Sequence, residues 1–385
     1  MMGQWNDMKA SSSDSREKKE SELPPPCRIE SIDALRGFTM FWIIGGNGVF
    51  LGFVKLFSDP VPPAIAQQFC HPAWGPTVTF LDLIMPLFLF IVGTAMPFSL
   101  GKRLETSRNY WRIYGKIFRR IALLWILGMV VMGNLLTFDP DKIRVAGNVL
   151  QYIACGYLVG AVALLHLQVR GQLILAFGLL LGYCLMMLYI PIPGKEAGVL
   201  TANVNLARYI DGLVIGRYNG FPLAPTILSS MSLGASVLLG IMAGHILRLR
   251  TDPWLKVRYL VIAGTGLLVL GWLWGHWFMM IKWLWTSSYA LWMAGWSYLL
   301  LAVFYSVIDV LGFRRWAFPF RVIGANAILA YTLCTIYGRS LYSPLVGGLA
   351  NHVGVARDLV LSLGQVGILW FILWYLYRQR TFIRV

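Results

Sequence analysis

Between Asp33 and Gly93 a few ionisable and amide side chains stand in otherwise apolar sequence. Asp33 and Arg36 open the run SIDALRGFTMFWIIGGNG, and Asn47 lies near its end. His71 follows in CHPAWGP, and Asp82 begins the run TFLDLIMPLFLFIVGT. Polar groups among residues bound for lipid are costly, so by default they mark a functional path. An imidazole titrates near neutral pH, which suits His71 to general-base work or to carrying an acyl group transiently. A carboxylate placed as Asp82 is can orient that ring and hold its tautomer. A lone loop histidine is more often a solvated or capping residue; here Trp74, Pro72, Pro76 and Asp82 are the company that favours chemistry.

Asn47 sits in GGNG, where small residues let another backbone or a ligand come close. Its amide either orients a substrate and stabilises an oxyanion, or the motif only packs helices. Spacing leaves both readings open. Asp33 and Arg36, three apart, read first as an ion pair anchoring the helix start. Arg36 is also kept with Lys116, Arg119 and Arg120 as a candidate for phosphate recognition, which arginine geometry suits. The alternative for that basic cluster is anchoring at the cytoplasmic surface. In MIKWLWTSSYALW, Lys282, Trp285 and Thr286 are candidates for holding a sugar, with Trp74 from the first loop; an interfacial aromatic belt explains the tryptophans equally. Asn326, in IGANAILAYTL, is either a further substrate contact or a bond between helices. The five cysteines and five histidines form no CxxC or HxxxH spacing, so no metal is expected.

These residues must be held by membrane helices. The chain of 385 residues is 57% hydrophobic and 13% charged, with a mean hydropathy of +0.64. Apolar runs of about 20 residues recur along it, the mark of an all-α polytopic membrane protein. About ten spans are expected, near 35–57, 77–100, 117–138, 147–166, 172–191, 226–247, 258–279, 287–310, 321–338 and 358–377. The net charge of +16 would point a soluble protein to nucleic acid; here it follows the loops. With a cytoplasmic N-terminus, 24 of the 33 Lys and Arg residues fall on the cytoplasmic side and nine outside, so both termini are expected in the cytoplasm and His71 outside. Residues 1–27, polar and ending in three prolines, read as a disordered cytoplasmic tail, and 28–385 as one transmembrane domain. The longest outer loop, about 191–225, carries an amphipathic stretch in which Leu206, Ile210, Leu213 and Val214 share a face. It reads equally as a binding wall and as a surface crossover.

RIESIDALRGFTM, an Asn about a dozen residues on, then HPAWGP and DLIMPLFLFIVG, resemble the membrane acetyltransferases related to heparan-α-glucosaminide N-acetyltransferase. NVLQYIACGYL, NLARYIDGLVIG, PTILSSMSLGASVLLGIMAG, KWLWTSSY and IGANAILAY extend the resemblance over about residues 28–375. It implies transfer of an acetyl group from cytosolic acetyl-CoA to an amino sugar across the membrane. It also implies a catalytic pair that falls on His71 and Asn47. By this resemblance the chain is expected to be without the extra lumenal domain and additional first helix of the lysosomal member, and to be similar in this to shorter bacterial relatives. The expected protein is therefore a multi-pass acyltransferase of a bacterial inner membrane, with acetyl-CoA, an amino sugar or glycan and the bilayer as partners. A homodimer is compatible with this, and nucleic acid and metal are not expected. The alternatives are a transporter of a small sugar or anion and an acyltransferase acting on a glycan hydroxyl.

Overall fold

In lipid a backbone must satisfy its own hydrogen bonds, and long apolar runs do so as helices. The computed structural model describes residues 29–72, 74–101, 110–133, 135, 139, 141–221 and 224–382. The expected tail, residues 1–27, lies outside them. Each expected span corresponds to a helix: α1 Glu30–Lys55, α2 Phe80–Gly101, α3 Tyr110–Met132, α4 Val149–His166 and α5 Val169–Tyr189, then α6 Ser230–Arg248, α7 Pro253–Gly275 and α8 Ser287–Val310. The ninth, α9, is Phe318–Ala325 and Ala327–Tyr337 bent by 78°, and α10 is Gly354–Arg378. Eight of these are long and apolar enough to cross a membrane, and the bent α9 makes a ninth. The remaining helix, α3, has 23 residues, enough to span, but its first half carries Lys116, Arg119 and Arg120. Among the described residues extended backbone pairs only at the bridge from Ala146 to Asn219.

Burial separates an inner set of helices from an outer one. The apolar windows of α2 and α6 are 78% and 72% buried, against 22% for α7 and 11% for α10. The exposed Ile262 and Trp272 of α7 and Leu363 and Phe371 of α10 therefore face lipid. Without a hydrophobic driving force between helices in lipid, close packing at small residues brings α2 and α6 together. A Cβ on Gly93 would lie 2.1 Å from the Val237 carbonyl oxygen, and one on Gly240 2.1 Å from that of Phe90.

A polar cluster marks one face of the bundle. The Asp309 carboxylate, at the end of α8, accepts the Glu30 and Ser31 amides at 3.1 Å each and so caps the start of α1. Glu30 in turn pairs with Arg321 at 2.7 Å and Arg314 at 3.5 Å. Asn326, at the α9 bend, donates to the Thr381 carbonyl at 3.1 Å. The start of α1 and the end of α10 thus share a face.

Replacing Gly240 by Ala should force α2 and α6 apart and cost about 1–3 kcal/mol. Gly178→Ala, on α5 where nothing lies within 4 Å of the added carbon, should leave thermal unfolding in detergent unchanged. Equal melting temperatures for the two variants would contradict the packing.

Candidate active site

The candidate site is built where α1 breaks. Trp42–Gly46 forms a wide π-turn in which Gly45 adopts φ +134°, a conformation glycine reaches without a side-chain clash. Asn47 follows directly and begins the second half of the helix. The break sets Trp42, Ile43 and Asn47 on the wall of a cavity of about 470 Å³, a size ordinary for small-molecule sites. His71, Lys282 and Trp285 line the same cavity. Its surface is mainly apolar and aromatic with a few convergent polar groups.

Asp82 joins helix geometry to the histidine. It is the third residue of α2 and closes a capping box with Thr79: its Oδ2 accepts the Thr79 amide at 3.1 Å. Its Oδ1 faces Lys282 Nζ at 2.7 Å and His71 Nδ1 at 3.1 Å. Lys282 Nζ also lies 2.6 Å from His71 Nδ1. The carboxylate is fully buried, a position that would cost several kcal/mol without these partners. Burial pushes the Lys282 ammonium down from the usual lysine range, and the hydrogen bond and charge of Asp82 hold it up in part. With Nδ1 engaged, the other ring nitrogen of His71, Nε2, makes no hydrogen bond to a described residue, and the ring is half exposed on the cavity.

Indole donors and hydroxyls fix the loops around this cluster. Trp283 Nε1 donates to the Pro72 carbonyl at 3.2 Å, and its ring stands edge-on to His71 at 6.2 Å. Trp74 Nε1 donates to the Leu200 carbonyl at 3.0 Å, tying the histidine loop to the loop over 191–225. The Tyr289 hydroxyl donates to the Asp82 carbonyl at 2.7 Å. Trp285 adopts φ +53°, a strained region for a bulky side chain, and is held there by its Nε1 bond to Ser236 Oγ at 3.0 Å. Thr286 is fully buried and accepts the Ile281 amide at 3.0 Å, so its hydroxyl shapes the turn.

The loop over 191–225 supplies a wall. It contains a short helix, Leu206–Val214, whose Asp211 is buried and accepts the Thr226 and Ile227 amides at 2.7 and 2.9 Å and the Asn219 amide group at 3.1 Å. Burial pushes the Asp211 carboxyl up, and the two backbone donors pull it back. This anchor sets Phe221, Ala224 and Pro225 on the cavity. The expected apolar face is divided: Leu206 is buried and Ile210 packs beside it, whereas Leu213 and Val214 are exposed.

The remaining candidates lie elsewhere. Arg36 is 3.5 Å from Asp33, as their spacing predicts. On α3, Lys116 and Arg119 are exposed, and Arg120 lays its guanidinium 4.3 Å over the Tyr157 ring. Asn326 belongs to the polar cluster of the opposite face, and Trp74 and Thr286 are not among the residues that line the cavity. Several lining residues escape the sequence reading. Asn148 caps α4 and accepts the Leu150 amide at 2.9 Å, and Tyr152 donates to the Ala224 carbonyl at 2.7 Å. Tyr331 and Trp283 complete the group. The N-x-x-Q capping pattern of Asn148 and Gln151 was a visible signal; Trp283 was hidden among its neighbouring tryptophans.

Comparison with known proteins agrees with the resemblance in the motifs. Residues 28–204 match the family described as domain of unknown function (DUF5009). The chain is 26% identical over 430 residues to the heparan-alpha-glucosaminide N-acetyltransferase of Homo sapiens, covering 95% of this chain and 61% of that protein. It is 23% identical over 415 residues to the Mus musculus protein of that name, covering 93% and 60%. The chain thus spans about three fifths of the length of these relatives and is related to them over nearly all of its own.

Removing the Asp82 carboxylate should strip Lys282 of its buried partner. Asp82→Ala is expected to cost about 3–5 kcal/mol, read as a fall in melting temperature in detergent. Wild-type stability in that variant would contradict the ion pair.

Proposed function

We propose that this chain is a transmembrane acetyltransferase that moves an acetyl group from cytosolic acetyl-CoA to the amine of an amino sugar on the far side of the membrane. One observation carries the reading. His71 and Asn47, the residues on which the catalytic pair of the resembling family falls, line one cavity, in a chain related over 95% of its length to an N-acetyltransferase acting on a glucosaminide.

In this reaction the acceptor nitrogen attacks the thioester carbonyl, a C–N bond forms, the C–S bond breaks and CoA leaves as the thiol. His71 takes the proton that the amine must lose, or first carries the acetyl group on its ring nitrogen and passes it on. The Asn47 amide donates to the carbonyl oxygen as it gains negative charge. The aromatic wall, with Trp283 beside His71, offers a stacking face for a sugar ring. Apolar residues such as Leu81, Ile84 and Met85 on α2 suit an acetyl group and the thin arm that bears it. Lys116 and Arg119, exposed on α3, supply positive charge for the donor's phosphates.

With purified protein, acetyl-CoA and glucosamine, His71→Ala should lower acetyl transfer by about 10²- to 10⁴-fold at an unchanged melting temperature. Asn47→Ala should lower kcat by about 10²- to 10³-fold, the cost of one oxyanion donor. Wild-type turnover in His71→Ala would overturn the mechanism.

A further inference from the structure

Three polar atoms converge beside the cavity. Lys282 Nζ lies 2.7 Å from Asp82 Oδ1 and 2.6 Å from His71 Nδ1, and Nδ1 lies 3.1 Å from the same Oδ1. In a neutral imidazole each nitrogen holds a proton or a lone pair, whereas an ammonium group offers only donors. A proton on Nδ1 would therefore set donor against donor at the shortest of the three contacts. With a lone pair on Nδ1, one ammonium donates both to the ring and to the carboxylate. Both short contacts then become charge-assisted hydrogen bonds. The longest separation is left between two acceptors that the ammonium bridges.

The surroundings favour the same assignment. Lys282 is drawn to this point by the fully buried Asp82 carboxylate, and its side chain is only 12% exposed. Its ammonium also lies 5.0 Å over the Trp283 ring, which adds to the attraction for a positive charge there. Asp82 cannot turn away to serve His71 alone, because its other oxygen is committed to the Thr79 amide.

We propose that Lys282 is a positioning residue that fixes the tautomer of His71. With the ammonium on Nδ1, the ring proton sits on Nε2, and His71 meets the cavity as a hydrogen-bond donor. Nε2 gains the lone pair that a base or an acyl carrier needs only when Lys282 withdraws. Nε2 then gives a proton to water, Nδ1 takes one from water, and the new Nδ1–H donates to Asp82; the ring's charge is unchanged. Because Lys282 lines the cavity, an acceptor oxygen that binds its ammonium competes with Nδ1, so filling the site activates the histidine. The catalytic use of the freed nitrogen rests on the proposed acetyl transfer, but the tautomer itself does not.

The test is ¹⁵N NMR of histidine-labelled full-length protein in nanodiscs without acetyl-CoA or acceptor. The chain has five histidines, and the His71 signals are those lost in His71→Gln. Wild-type His71 should show a protonated Nε2 and an unprotonated Nδ1. Lys282→Met should reverse the pattern, with Nδ1–H donating to Asp82, and Lys282→Arg, which keeps a cationic donor, should preserve it. A wild-type His71 already protonated on Nδ1, or an unchanged pattern in folded Lys282→Met, overturns the proposal. If Lys282→Met does not fold, the wild-type spectrum still decides. Acetyl transfer by a protein whose His71 is protonated on Nδ1 would sink this inference alone, and the expected spectrum in a protein without transferase activity would sink only the proposed function.

Discussion

Asp82 is the constraint on which the cavity end of the protein depends. A carboxylate buried at the start of a membrane helix is tolerable only if its lone pairs are occupied. One oxygen closes the cap of α2, and the other holds Lys282 and lies beside His71. The same residue thus caps the start of a helix, anchors the turn before α8 and lies at the edge of the imidazole. The Tyr289 bond to its carbonyl ties α8 to that point, so helix geometry and site geometry cannot change independently.

The bundle separates two environments. Close contact of α2 and α6 at Gly93 and Gly240 gives a tightly packed centre, and the cavity opens beside the break in α1. The opposite face is closed by Glu30, Asp309, Arg314 and Arg321. Lys116, Arg119 and Arg120 lie about 9–15 Å along α3 from its first residue at 1.5 Å per residue. A donor that keeps its phosphates near this basic stretch and sends a thin acyl-bearing arm toward the cavity would use both environments without crossing the bilayer whole.

The helices were legible in the sequence because hydrophobic run length reports membrane spans directly. The kink at Asn326 is less so: IGANAIL reads as one run, and at the 78° bend Asn326 bonds the Thr381 carbonyl, a contact between distant positions. In the site, residue type and spacing leave two readings each for His71 and Asn47, and only the family resemblance pairs them. From its neighbours in sequence Lys282 reads as a sugar contact, and its bonds to Asp82 and His71 join positions about 200 residues apart in sequence, which no local pattern encodes. Trp283 is hidden in the same way: alternation along KWLW does not tell which indole turns toward the histidine loop. Trp285 takes the other direction, and its positive φ is a backbone property that composition does not reveal.

Central to this account is that donor and acceptor act from opposite faces of one bundle. The most direct measurement uses sealed proteoliposomes in which the face bearing the chain ends is turned inward, with radiolabelled acetyl-CoA enclosed and glucosamine outside. Transfer between opposite faces would give labelled N-acetylglucosamine in the external medium and free CoA retained within. Product formed only when both compounds share one side, with none from the separated pair, would contradict it.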